Sequence, residues 1–109
     1  MTLERKALDV VVIDVRGRSS YTDFLVITSG TSDRHVQSVA KLVEDDLRKE
    51  KMRPIGTEGI RGGQWALLDF GSVVLHVFHQ FTRDVYDLET LWKDAPRLSI
   101  DAGPVAGGM

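Results

Sequence analysis

The segment from Asp23 to Val43, DFLVITSGTSDRHVQSVAKLV, limits the possible folds more than any other part of the chain. Its first half, Phe24-Leu25-Val26-Ile27, is an unbroken apolar run that reads as a buried strand. Its second half places Val36, Val39, Ala40, Val43 and Leu47 at i, i+3, i+4, i+7 and i+11, the apolar stripe of an amphipathic helix. Between them lie Thr28-Ser29-Gly30-Thr31-Ser32, with Ser32 positioned as an N-cap and Asp33 in the first turn, where a negative charge suits the helix dipole. Glu44 with Arg48 and Asp45 with Lys49 form i,i+4 pairs on the exposed side. A strand feeding directly into such a helix commits the chain to stacked α and β layers.

The remaining elements fall around this unit. Val10-Val11-Val12-Ile13-Asp14-Val15 reads as a first buried strand, closed by a turn at Arg16-Gly17-Arg18-Ser19-Ser20. Pro54 and Gly56 lead the chain out of the helix into a short strand or connection between Ile55 and Ile60. Arg61-Gly62-Gly63 is a hairpin turn, and Trp65 to Phe70 and Val73 to Phe78 are strands joined at Gly71-Ser72. Thr82 caps a last helix carrying Val85, Leu88 and Trp92, with Leu91 beside them, and Pro96 stops it. The predicted order is β-β-α-β-β-β-α. It gives an α/β fold with a mixed sheet of about five strands and helices mainly on one face. Residues 1–98 form one domain, and the Gly-, Ala- and Pro-rich segment 99–109 is expected to be a disordered tail.

Composition removes several function classes. With no cysteine among 109 residues, disulfides and thiolate metal sites are excluded. The 14 Lys and Arg are scattered among 16 acidic residues for a net charge of -2, whereas nucleic-acid binding needs a concentrated basic surface. No sequence-specific nucleic-acid partner is expected. No stretch approaches the ~20 apolar residues of a membrane span, and the start MTLERKALDVVV has too short an apolar run for a secretion signal. A cytoplasmic protein without a membrane partner is expected.

Candidate chemistry is sparse. Gly30-Thr31-Ser32 before a helix can present backbone N–H groups to a phosphate, but it lacks the lysine and second glycine of a P-loop. The alternative reading is therefore a nucleotide-binding or nucleotidyltransferase-like enzyme using Gly30 to Ser32 and Asp69. That chemistry needs two or three carboxylates around Mg²⁺, and Val73 to Phe78, facing Asp69, supplies none. His76 and His79, three apart on a strand, point to opposite faces, and His35 has no sequence-local partner. No metal, cofactor or catalytic residue is expected. What remains is a sheet surface. Trp65, Leu67 and Asp69 share one face with His76 and Phe78, an aromatic and polar mixture of the kind that anchors protein partners.

Three blocks, SYTDFLVITSGTSDRHV, GGQWALLDFGSVVLHVFH and RDVYDLETLW, resemble the ribosomal silencing factor family, also called Iojap-like proteins, in order and spacing from about Ala7 to Trp92. The resemblance implies a nucleotidyltransferase-like fold without the catalytic carboxylates, and a non-enzymatic role. Such proteins bind the large ribosomal subunit through its fourteenth ribosomal protein (uL14), block association with the small subunit and repress translation under nutrient limitation. Carried onto this chain, it implies partner-binding roles for Trp65, Leu67, Asp69 and His76 of the strand block and for Tyr86, Asp87 and Trp92 of the helix block. Phe78 adds desolvated contact, while Asp69, Asp84, Asp87 and Glu89 offer charge to a basic ribosomal protein. Ser29, Asp33, Arg34 and His35 fall in the first block and shape its turn. Family members often pair as homodimers, and many begin with a helix for which only Met1 to Lys6 remain here.

Overall fold

The computed structural model describes residues 8–98; the expected tail at 99–109 and the short leader ahead of Ala7 lie outside the described residues. Nine elements follow in order: β1 (Leu8–Asp14), β2 (Phe24–Gly30), α1 (Asp33–Lys49), β3 (Gly56–Glu58), β4 (Trp65–Asp69), β5 (Val73–His79), α2 (Gln80–Tyr86), α3 (Leu88–Leu91) and β6 (Arg97–Leu98). They form one six-stranded mixed sheet in the order β3-β4-β5-β2-β1-β6. The fold class is the expected one, with one strand more. β6 pairs antiparallel with β1 through Val12–Leu98 and Ile13–Arg97.

β2 and β5 are the two central strands, and they are parallel, from Phe24 opposite Val73 to Gly30 opposite His79. The chain crosses between them through α1 and the β3–β4 hairpin. Ser32 caps α1 as its sequence position predicts, its Oγ accepting from His35 N at 3.0 Å. The stripe of α1 then packs Val36, Val39 and Ala40 on Ala66, Leu68, Leu75 and Val77 of β4 and β5. These strand residues alternate with those of a second cluster on the opposite face, built from Ile13, Val15, Leu25, Ile27, Val74, Phe78 and Ala95. The long helix thus covers the β2, β5 and β4 centre of one face. The opposite face receives only the short α2–α3 segment, which leaves part of it open.

That segment corrects the expected final helix. α2 begins two residues before Thr82, with His79 as N-cap and its Nδ1 accepting from Phe81 N at 3.2 Å. Asp87 then adopts the left-handed conformation, φ 48° and ψ 53°, and divides the expected helix into α2 and α3. Aspartate tolerates this region better than most residues. The break redirects the apolar stripe: Leu88 and Trp92 pack on the second core cluster, while Val85 and Leu91 stay exposed. Thr82 instead donates its hydroxyl to Gln64 Oε1 at 2.6 Å.

Candidate functional site

The strand registers fix which side chains share the open face. Opposed residues point the same way, so Glu58, Leu67, His76 and Ile27 form one row across β3, β4, β5 and β2. Trp65, Phe78 and Ser29 form a second row, and Asp69, Val74 and Leu25 a third. Over the β1–β2 half of this face, Leu88 and Trp92 pack against the buried cluster. Over the β3–β4 half, Glu58 is exposed and Trp65, Leu67 and Asp69 are half-buried. This uncovered half is the candidate site.

Trp65 is its centre. The indole packs on Phe78, with ring centroids 4.9 Å apart and planes 27° from parallel, and on Tyr86 of α2 at 4.6 Å. Its Nε1–H donates to His76 Nδ1 at 3.0 Å. Burial pushes the His76 pKa down to about 4. The imidazole is therefore neutral near pH 7, Nδ1 is the acceptor, and the ring proton sits on Nε2. A buried neutral histidine is a fixed acceptor that holds the indole in one orientation.

The eight residues expected to contact a partner divide into three sets. Trp65, Leu67 and Asp69 lie together on the uncovered half, and Tyr86, about half exposed, flanks Trp65. His76 and Phe78 are corrected: at 6% and 0% exposure they lie beneath this surface and support Trp65 instead of presenting themselves. Trp65 packs on both, at 5.9 and 4.9 Å between ring centroids, and Tyr86 of α2 adds cover to Phe78 at 6.3 Å. Asp87 is exposed but acts in the chain as the left-handed C-cap of α2. Trp92 packs on the core of the covered half. Asp69 has a structural duty as well, its Oδ1 accepting from Gly71 N at 2.8 Å to close the β4–β5 turn.

Arg83, Glu58 and Gln64 escaped the sequence reading. Arg83 is 8% exposed; it donates Nε and Nη2 to the two carboxylate oxygens of Glu89, at 3.0 and 2.8 Å, and Nη1 to Ser29 Oγ at 2.7 Å. This fork ties α2 and α3 to the end of β2. It also consumes Glu89, which was expected to offer its charge outward. Gln64 links three elements: its amide donates to Asp33 Oδ1 at 2.5 Å, its Oε1 accepts from Thr82, and its backbone carbonyl accepts from His79 N at 2.8 Å.

The residues of the enzyme alternative do not come together. Gly30 sits at the level of His79, whereas Asp69 is opposite Val74. Five strand positions separate those levels, about 16 Å along the sheet. At the Gly30 end three of the amides already have partners. Thr31 N donates to His35 Nδ1 at 2.8 Å, His35 N to Ser32 Oγ, and Val36 N to Ser32 O at 3.0 Å. His35, read from sequence as lacking a local partner, thus has one four residues back. Among the described residues, no three His, Asp or Glu side chains are grouped to hold a metal ion, and no helix is long and apolar enough to cross a membrane.

Comparison with known proteins agrees with this geometry. The family model described as "Ribosomal silencing factor during starvation" matches residues 1–107. The ribosomal silencing factor of Bacillus subtilis is 37% identical over 100 residues, which is 92% of this chain and 85% of that protein. The mouse protein called "Mitochondrial assembly of ribosomal large subunit protein 1" is 37% identical over 92 residues, 82% of this chain but 40% of its own length. A crystal structure of a Chromobacterium violaceum protein superposes with a TM-score of 0.80 at 30% identity, covering 95% of this chain and 88% of that one. Sequence match along nearly the whole chain and agreement in fold lead to one assignment: the chain belongs to the ribosomal silencing factor family.

Proposed function

We propose that this protein binds the large ribosomal subunit through the uncovered half of its sheet, with the fourteenth ribosomal protein as receptor, and so keeps the small subunit from joining. The single observation that carries this reading is the juxtaposition of Trp65, Leu67 and Tyr86 with the carboxylates of Glu58 and Asp69 on a sheet half that, among the described residues, only the Tyr86 end of α2 borders. Aromatic and aliphatic anchors exclude water at the centre of an interface, and rim carboxylates steer a basic ribosomal protein toward it. The family membership supports the ribosomal partner, and the family description ties the action to starvation.

Inhibition then needs no chemical step. A folded protein docked where the subunits meet occupies volume that the small subunit requires. The fraction of blocked large subunits follows from concentration and affinity alone. Action in the cytoplasm, and pairing of two copies along the exposed edge strand β3, belong to the same proposal.

Leu67→Lys tests the reading. Leu67 is half-buried on the open half, so a lysine stem lies along the surface with its ammonium in water and the fold is kept. The expected result is a loss of co-sedimentation with purified large subunits by about tenfold or more, together with restored formation of whole ribosomes in a gradient. Undiminished binding by a folded Leu67→Lys protein removes this face from the proposal.

A further inference from the structure

Beside Trp65, the uncovered half contains a notch bordered by Glu58, Gly59, Trp65 and Leu67. Glu58 is opposite Leu67 in the β3–β4 register, so its carboxylate stands on the same face as the indole. One border of the notch is a glycine. Gly59 has φ +75°, and a Cβ there would lie 2.0 Å from the carbonyl oxygen of Trp65, so no side chain can be placed at that position. Gly56, opposite Asp69, adds no side chain to the same edge.

The charge around the notch has one sign. β3, β4 and β5 contain no Lys or Arg. Among the described residues, neither Glu58 nor Asp69 has an ion-pair partner. An apolar plug would strip water from Glu58 and give it nothing in return, a desolvation cost without compensation. A cation is favoured by both walls: it pairs with the carboxylate, and it is attracted by the electron-rich indole.

We propose that this notch receives one cationic side chain of the partner, an arginine in preference to a lysine. The planar guanidinium lies against an indole while its edge donates to a carboxylate, whereas an ammonium is more strongly hydrated and directs a single point charge. The proposal rests on the docking face above and sharpens it: Glu58 sets specificity for a basic residue, and Trp65 and Leu67 supply the walls.

The test uses the full chain and purified large subunits, with affinity measured at several salt concentrations. Glu58→Gln is expected to weaken binding about 5–20-fold and to flatten its salt dependence, and Glu58→Lys about 100-fold. Thr57→Lys is the control. It adds positive charge one residue away, but Thr57 is opposite Leu68 and so belongs to the other face. It is expected to bind within twofold of the parent protein. Circular dichroism checks that each variant is folded. Equal losses for Glu58→Lys and Thr57→Lys mean a general charge effect and overturn the notch, as does parental affinity in both Glu58 variants. If Leu67→Lys weakens binding while the Glu58 variants do not, the docking face stands and the notch falls. If Leu67→Lys has no effect, the face and the notch fall together.

Discussion

Replacing Arg83 by Met removes one charge and leaves most of the side-chain volume. In the native fold the guanidinium makes three hydrogen bonds, two to Glu89 and one to Ser29, and its side chain is 10% exposed. Arg83→Met strands the Glu89 carboxylate and leaves the Ser29 hydroxyl without this donor. Breaking a buried pair from one side costs ~3–5 kcal/mol. Glu89 keeps 22% side-chain exposure, so water relieves part of the stranded charge. The expected loss is therefore about 2–4 kcal/mol, and each kcal/mol lowers the melting temperature of a domain this size by ~4–8 °C. The double variant Arg83→Met, Glu89→Leu removes both charges, so much of the loss should return, with a coupling energy of at least ~1.5 kcal/mol. Urea unfolding of the four proteins in the cycle measures this. Because Arg83 holds α2 and α3 on β2, the single variant should also loosen Tyr86 on Trp65, seen as a shifted tryptophan emission in the folded baseline. A loss below ~1 kcal/mol, or a double variant as unstable as the sum of the singles, would refute the clamp.

Two further predictions concern the supports of the site. Folding lowers the His76 pKa from the ordinary 6.5 to about 4, so between those values the unfolded chain binds the extra proton. This contribution to stability is complete above pH 6.5 and is lost as pH falls toward 4, by ~3 kcal/mol at most for 2.5 pKa units. Unfolding midpoints measured from pH 7 to 4 should show this slope, and His76→Gln should flatten it; Asp14, held at about 2 by its hydrogen bonds to Arg16, titrates below the window. At Gly63 (φ +74°), an added Cβ would lie 2.6 Å from the Asp33 carbonyl oxygen and 2.7 Å from its Cβ. Gly63→Ala should therefore cost on the order of 2 kcal/mol or more in urea unfolding and loosen the hairpin loop from the start of α1, and a cost under ~0.5 kcal/mol would mean the approach is not tight.

What could be read from the sequence follows the range over which each signal acts. The α1 stripe, the Ser32 cap and the central strands are encoded within a few residues of themselves, and they stand where periodicity places them. β6 has two residues and exists only because β1 presents an unpaired edge to it, so no local pattern announces it. The break at Asp87 is equally nonlocal. Tyr86 must stay against Trp65 while Leu88 and Trp92 reach the core, and one continuous helix cannot direct all three. The site shows the same division. Alternation along β4 and β5 put Trp65, Leu67, Asp69, His76 and Phe78 on one face, but burial of His76 and Phe78 depends on how Trp65 lies across them and, for Phe78, on where α2 lands. Glu58 was invisible because a three-residue strand has too few positions to alternate.

The placement of free surface bears on function as strongly as the placement of side chains. In open α/β sheets, small ligands bind beyond the carboxyl ends of parallel strands, where backbone amides have no partner. Here the side of that end nearest α1 is filled by the protein itself. His35 accepts from Thr31 N, His79 caps α2, Gln64 bridges Asp33 and Thr82, and Gly63 brings the hairpin loop onto the first turn of α1. The β3–β4 half of the sheet presents its side chains outward, and the backbone of β4 is paired on both sides. A shallow patch with one aromatic centre and two separated carboxylates matches the anatomy of a protein interface. One of these contacts also reaches the site: Gln64, next to Trp65, holds Thr82 of α2, the helix that carries Tyr86 onto the indole.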